Sequence, residues 1–361
     1  MVKGLKQAMP MKRRTFLKTV GGATGGLALG VDPILGAEFP APAAVETVAG
    51  LPRRVLGRTG QKLSIVGFPG LSLVHYEQKQ CDEGIRKAFD RGINYFDVAP
   101  AYGDGVCETK LGIGLQGLDR SRYFLACKTK MRDQEGARKE LENSLKLLKT
   151  DHFDLYQMHH LVKPADVKRA LGPGGAIETL LKAREEGKVK YLGFSAHSTK
   201  GALEALKGFR FDTVMFPINF AEFYLRDFGK EVMELANQQG AAIIAIKPMS
   251  RGAWPKDVKR TREWWYRSVE EPREVDLAWR FTLSQKGVVA GIPPSFLDLL
   301  DKAIDAAKNY RPPTAADLAE LQQIAKTCES IFAKEEAQIA MHGHAPAFPD
   351  SPHECDCGRW A

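Results

Sequence analysis

Residues 93–102 read INYFDVAPAY. A short apolar run of strand length delivers a carboxylate, Asp97. A proline turn then carries a phenol, Tyr102. Two later stretches share the form. YFLACKTK (123–130) leads to Lys128, and FDLYQMHH (153–160) leads to His159. Helical patterns alternate with them: CDEGIRKAFDRG (81–92), ARKELENSLKLL (137–148) and AIETLLKAREEG (176–187). Two of these end in Gly, as does KEVMELANQQG (230–240), and Gly is what a helix C-terminus prefers. The repeating unit is therefore strand, then helix.

Working outward, candidate strands fall at Leu63–Phe68, Ile93–Ala99, Tyr123–Thr129, Phe153–His160, Val189–Ala196, Thr213–Phe220, Ala241–Pro248 and Gly287–Pro293. Runs such as AAIIAI (241–246) do not alternate, which two-sided burial in a parallel sheet explains. Eight such units in series predict an α/β fold, a (β/α)8 TIM barrel. RRVLGRTGQKLS (53–64) places a Gly turn between two short runs and predicts an N-terminal hairpin. The expected organisation is an export signal over 1–43, a Pro/Ala-rich linker over 44–52, the barrel over 53–312 and a helical, then irregular, extension over 313–361. A barrel of this kind gathers its chemistry at the C-terminal ends of its strands. Asp97, Tyr102, Lys128 and His159 all fall there. The long stretch from Arg251 to Ser268 follows the seventh strand and carries Trp254, Trp264, Trp265 and Tyr266. It reads equally as the wall of a pocket and as a patch packed on the outer helices.

Composition narrows the class. The chain has 361 residues, 44% of them hydrophobic, enough for a sizeable core. No apolar run approaches the roughly 18 residues needed to span a bilayer, so no stable membrane anchor is expected. MKRRTFLKTVGGATGGLALGV (11–31) sets Arg13-Arg14 before a weak apolar stretch, with Ala41-Pro42-Ala43 beyond it. This order predicts a twin-arginine signal, passage through the Tat translocase as a folded protein, and a periplasmic location. Residues 1–43 hold six Lys/Arg against two Asp/Glu, half of the net +8. The remaining positive charge forms no block, so nucleic-acid binding is not expected.

Cys81, Cys107 and Cys127 lie in or beside barrel elements and read as buried small hydrophobes. The tail carries His342, His344, His353, Cys355 and Cys357. Its H-x-H and H-x-C-x-C spacings match no standard tetrahedral zinc site, so no metal is assigned. A disulfide between Cys355 and Cys357, a metal and free thiols all remain open readings.

A carboxylate, a phenol, an ammonium and an imidazole on successive strand ends can make a proton-donating site. An ordinary phenol has a pKa of about 10, and a nearby cation favours its ionised form. The pattern resembles the catalytic tetrad of the aldo-keto reductases over roughly residues 53–310. DVAPAY (97–102) keeps that family's gap between Asp and Tyr, and DLYQMH (154–159) matches its strand ending in His. The resemblance implies an NAD(P)-dependent oxidoreductase that interconverts a carbonyl and an alcohol by hydride transfer. Tyr102 would be its general acid/base, Lys128 and Asp97 would tune the phenol, and His159 would orient the substrate carbonyl.

The same resemblance implies cofactor contacts. GFSAHS (193–198) assigns Ser195 to the nicotinamide carboxamide, with Ala196 where relatives often carry Asn. Asn219 would supply the missing amide contact. In IKPMSRG (246–252), Ile246 stands where many relatives have a stacking aromatic, and Lys247 points into the site. In GIPPSF (291–296), Ser295 and the N–H groups of the following helix would hold a phosphate, with Pro294 replacing a Gly or Lys. Asp298 and Asp301 lie where an Arg would grip the 2′-phosphate of NADP, so NAD and NADP both stay open. An exported enzyme of this type would need to carry its cofactor tightly bound through export. Two other classes remain: a cofactor-free barrel that binds a small carbonyl or sugar ligand, and a redox protein that uses the Cys/His tail.

Overall fold

The structure, a computed structural model, describes residues 46–342. The export-signal segment and His344, His353, Cys355 and Cys357 lie outside the described residues. The described chain opens with three short antiparallel strands: β1 (Thr47–Val48), β2 (Leu51–Val55) and β3 (Lys62–Ser64). The pair β2–β3 is the expected hairpin, with Arg53 opposite Ser64 and Val55 opposite Lys62. Residues 47–52, read as linker, instead add a strand: Thr47 pairs with Pro52 and Val48 with Leu51.

Eight parallel strands follow in sequence order: β4 (Phe68–Pro69), β5 (Tyr95–Asp97), β6 (Phe124–Thr129), β7 (Phe153–Leu161), β8 (Val189–Ala196), β9 (Thr213–Pro217), β10 (Ala242–Ile246) and β11 (Val288–Ile292). A bridge from Val66 to Gly291 closes the ring. There the Gly67 N–H donates to the Gly291 carbonyl at 2.9 Å, and the Gly291 N–H donates to the Ile65 carbonyl at 3.0 Å. The fold is the (β/α)8 barrel that the alternation predicts.

The first expected strand, Leu63–Phe68, is split. Lys62–Ser64 pairs backwards with the hairpin, and Phe68–Pro69 enters the barrel. The residues between them turn the chain from one sheet into the other while making the closing bonds. The sixth and seventh strands end early for local reasons. Asn219 accepts the Glu222 N–H at 2.9 Å and starts a helix at Phe220. Lys247 takes a left-handed φ of 58°, which no extended strand accommodates.

Two apolar layers explain the runs without alternation. An inner cluster fills the barrel with Tyr95, Phe124, Ala126, Leu155, Met215, Ile244 and Ala290, and Leu56 and Leu63 of the hairpin join it. The outer cluster lies between strands and helices. Gly193 lets β8 approach β9: a Cβ there would meet the Thr213 Oγ1 at 2.1 Å. Beyond the barrel, Thr314 and Asp317 form a capping box on the helix Ala315–Ala325. Asp317 also pairs with the buried Arg280 of the helix Pro272–Leu283. A last described helix, Ala333–His342, follows. Cys81, Cys107 and Cys127 are buried free thiols.

Candidate active site

Three strand ends and one turn converge on a cleft of about 560 Å³ at the C-terminal mouth of the barrel. Asp97 ends β5, Lys128 lies near the end of β6, and His159 lies near the end of β7. Tyr102 sits in the turn after β5, where its N–H donates to the Ala99 carbonyl at 3.0 Å. Asp97, Tyr102 and His159 line the cleft. Lys128 is fully buried beside them.

An ammonium has three N–H groups, and Lys128 uses all three. It donates to Asp97 Oδ1, to the Tyr102 hydroxyl at 3.1 Å and to the Val98 carbonyl at 3.2 Å. The other Asp97 oxygen accepts from the Tyr95 hydroxyl at 3.0 Å and from Gln157 Nε2 at 3.4 Å. His159 meets Tyr102 edge to face, with centroids 5.6 Å apart. Arg132 donates to the carbonyls of His159 and His160 at 2.9 and 3.1 Å and fixes the end of β7. Burial opposes the charge on Lys128, but Asp97 and Tyr102 outweigh it and hold the amine above its ordinary value. Burial raises the Asp97 carboxyl against the pull of Lys128.

The phenol departs from the expectation. Burial, together with the Asp97 charge, holds Tyr102 above its ordinary value although Lys128 pulls the other way. The cation that was to lower the phenol is shared with a carboxylate, and the phenol is buried. Tyr102 therefore stays protonated at neutral pH and is ready to give a proton to an oxygen in the cleft.

The residues assigned to a cofactor separate into groups. Ser195, Lys247 and Ser295 line the cleft, as do Ile246 and Pro294. Ser195 Oγ accepts the His160 N–H at 2.9 Å, and no described residue accepts its own proton. Asn219 is not among the lining residues; it is a buried helix cap. Its Nδ2 is a buried donor with no partner among the described residues, and it does not reach the cleft surface where the expected carboxamide contact would lie. Ala196 is buried at the end of β8.

The acidic stretch after Ser295 is already neutralised. Asp298 pairs with Arg262, and Asp301 with Lys87 and Arg91 at 2.7 and 2.6 Å. It therefore repels a phosphate less than its composition suggests. One N–H opening the helix Leu297–Lys308 is also taken: Leu297 donates to the Tyr76 hydroxyl at 3.2 Å.

Trp264, Trp265 and Tyr266 form part of the cleft wall. Trp254 supports them by donating from Nε1 to the Trp264 carbonyl at 2.7 Å. Sequence reading missed Tyr95, Gln157, His197 and Met215. Tyr95 stands two residues before Asp97, Gln157 two before His159, and His197 two after Ser195. The two-residue period of a strand sets each pair on one face.

The aldo/keto reductase family model matches residues 74–319. The chain is similar to probable aldo-keto reductase 1 of Glycine max, 29% identical over 217 residues, which cover 55% of this chain and 59% of that protein. It is 28% identical over 213 residues to L-galactose dehydrogenase of Arabidopsis thaliana, covering 55% of this chain and 66% of that one. The match thus spans about three-fifths of the length of these curated relatives. An aldo-keto reductase of Bacillus halodurans, solved in its holo form, shares the fold with a TM-score of 0.61 at 22% identity, covering 78% of this chain and 98% of that chain.

Proposed function

Since the chain belongs to the aldo/keto reductase family, we propose that it is an NAD(P)-dependent oxidoreductase that interconverts a carbonyl and an alcohol, with Tyr102 as the general acid/base. The observation that carries this reading is the Lys128 ammonium, which bridges Asp97 and the Tyr102 hydroxyl at the wall of the cleft.

In reduction, Tyr102 gives its proton to the carbonyl oxygen. Lys128 then stabilises the phenolate that remains. Asp97, held by Tyr95 and Gln157, keeps the ammonium in place. His159 donates to the substrate oxygen and orients it. The dinucleotide, when bound, supplies or accepts the hydride. Ser195 offers a donor to its carboxamide, and Ser295 offers a hydroxyl to a phosphate. The relative from Bacillus halodurans has a holo form, which agrees with cofactor use. NAD and NADP are both admitted, because the acidic stretch is paired.

The paired arginines and weak apolar stretch of residues 11–31 support the reading of a periplasmic enzyme that leaves through the Tat translocase with its dinucleotide tightly bound. No helix among the described residues is long and apolar enough to cross a membrane. Protein purified gently from the periplasm and then denatured should release dinucleotide.

One observation favours a second reading, a cofactor-free barrel holding a small carbonyl or sugar ligand. Met215 and Ile246 present only apolar surface to the cleft, and Tyr76 occupies one N–H at the expected phosphate site. Titration with NADH and NADPH, read by quenching of the cleft tryptophans, separates the two. Absence of binding by either dinucleotide would overturn the reductase.

A further inference from the structure

Lys247 is the second buried lysine of this cleft, and it is built differently from Lys128. It follows β10 with a left-handed φ of 58° immediately before Pro248. A proline favours extended backbone in the residue before it, so this conformation is strained. The side chain is 6% exposed and lines the cleft. Its Nζ lies 3.2 Å from His197 Nε2, 5.1 Å from the centre of the Trp265 ring and 5.6 Å from that of Phe332.

No carboxylate among the described residues forms an ion pair with it. Glu335, the stronger influence, and Glu222 act on it without a direct ion pair. Both Glu222 oxygens are used elsewhere: Oε2 accepts from Ser330 and Oε1 from the Ile331 N–H, each at 2.7 Å. Burial dominates, Glu335 and Glu222 oppose it, and the amine is pushed down to about 7. A buried ammonium that makes no direct ion pair costs several kcal/mol. A ligand that brings the negative charge recovers that cost.

Building on the carbonyl-reduction reading, we propose that Lys247 and His197 form an anion subsite that selects aldehydes or ketones bearing a carboxylate. The carbonyl end of such a substrate lies at Tyr102 and His159, and its carboxylate lies at Lys247. Two basic nitrogens 3.2 Å apart carry at most one positive charge between them. A monoanion matches that charge. A phosphate dianion would leave a charge uncompensated against the aromatic wall, and Ser295 with the following helix start is a separate place for a phosphate. Lys247, expected from sequence at the cofactor, thus serves the substrate.

The test uses the full chain and two isosteric probes, butanoate and butanamide. Quenching of Trp264 and Trp265 reports binding. Butanoate should bind at least about tenfold tighter than butanamide. Lys247→Met should erase that preference, and Lys247→Arg should restore part of it. NADPH is titrated into the same variants. Equal affinity of the wild type for the two probes, or no binding of either, overturns the proposal. So does a Lys247→Met variant that loses NADPH affinity while it still prefers butanoate.

Tyr102→Phe is measured in parallel. It should keep the butanoate preference even where reduction is lost. A correct anion subsite in a protein that reduces no carbonyl would therefore refute the reductase reading alone.

Discussion

The Lys128 ammonium lies 3.1 Å from the Tyr102 hydroxyl and 4.8 Å from the centre of its ring. The proposed role of the phenol rests on this pairing. Without a cation beside it, a buried phenolate would be left uncompensated after the proton departs. Tyr102→Phe removes the proton and keeps the ring. Carbonyl reduction should fall by about 10²–10⁴-fold, with dinucleotide affinity retained. Single-turnover reduction, followed by nicotinamide absorbance, reads both. Wild-type rates in the variant would take Tyr102 out of the mechanism.

The direction of the Tyr102 shift sets the pH dependence. Burial holds the phenol above its ordinary value, so the protonated form persists through neutral pH and beyond. Reduction needs that form, and alcohol oxidation needs the phenolate. The pH profile of kcat/KM for reduction should show no fall assignable to Tyr102 below about pH 10, while oxidation should climb with pH. A falling reduction limb near neutrality that disappears in Tyr102→Phe residual activity would contradict this.

Breaking the Lys128–Asp97 pair has a stability signature as well. Both are buried. Lys128→Met strands a carboxylate that keeps only Tyr95 and Gln157 as donors. The expected loss is about 3–5 kcal/mol. The double variant Asp97→Asn/Lys128→Met removes both charges and should recover much of it. Urea denaturation of the wild type, Lys128→Met, Asp97→Asn and the double variant gives the coupling, and strictly additive losses would show that the pair is not energetically linked.

The barrel was legible because parallel strands buried on two faces leave unbroken apolar runs, as β10 does. Asp97, Lys128 and His159 stood out because each closes such a run with a polar group. The supports were less visible. Tyr95 and Gln157 look like core residues until strand parity sets them on the faces of Asp97 and His159. The environment of Lys247 was not legible at all. His197, Trp265 and Phe332 reach it from three separate parts of the chain, and no local pattern encodes those meetings. The same holds for Arg262, which neutralises Asp298 from 36 positions away.

The C-terminal helices depend on one carboxylate. Burial raises Asp317, but the Thr314 hydroxyl and N–H, then Arg280 and Arg273, outweigh it and hold it well below the usual carboxylate range. A depressed carboxyl stabilises the fold above its unfolded value of about 3.9 and loses that contribution as the pH falls through the folded value. Asp317→Asn leaves Arg280, 1% exposed, without its buried partner. It should cost about 3 kcal/mol and flatten the acid limb of the stability profile below about pH 4. Thermal melts across that range check both. An unchanged acid limb would mean that Asp317 is not what anchors the helix.

Lys247 predicts a slope of the same sign at higher pH. Its amine is lowered to about 7 in the fold, against about 10.5 when unfolded. Between those values the unfolded chain binds one more proton, so stability rises with pH. Below the folded value the ammonium is buried among Trp265, Phe332 and His197, with Glu222 and Glu335 the nearby opposing charges. Lys247→Met removes that cost. The variant should therefore exceed the wild type in stability most below neutral pH. Its advantage should shrink by up to about 1.4 kcal/mol per pH unit as the pH rises towards 10. Urea melts of both proteins at matched pH measure the difference. A constant difference across that span would mean that Lys247 keeps an ordinary amine and has found a counter-ion within the fold, and the cleft would then have no charge left to offer a carboxylate.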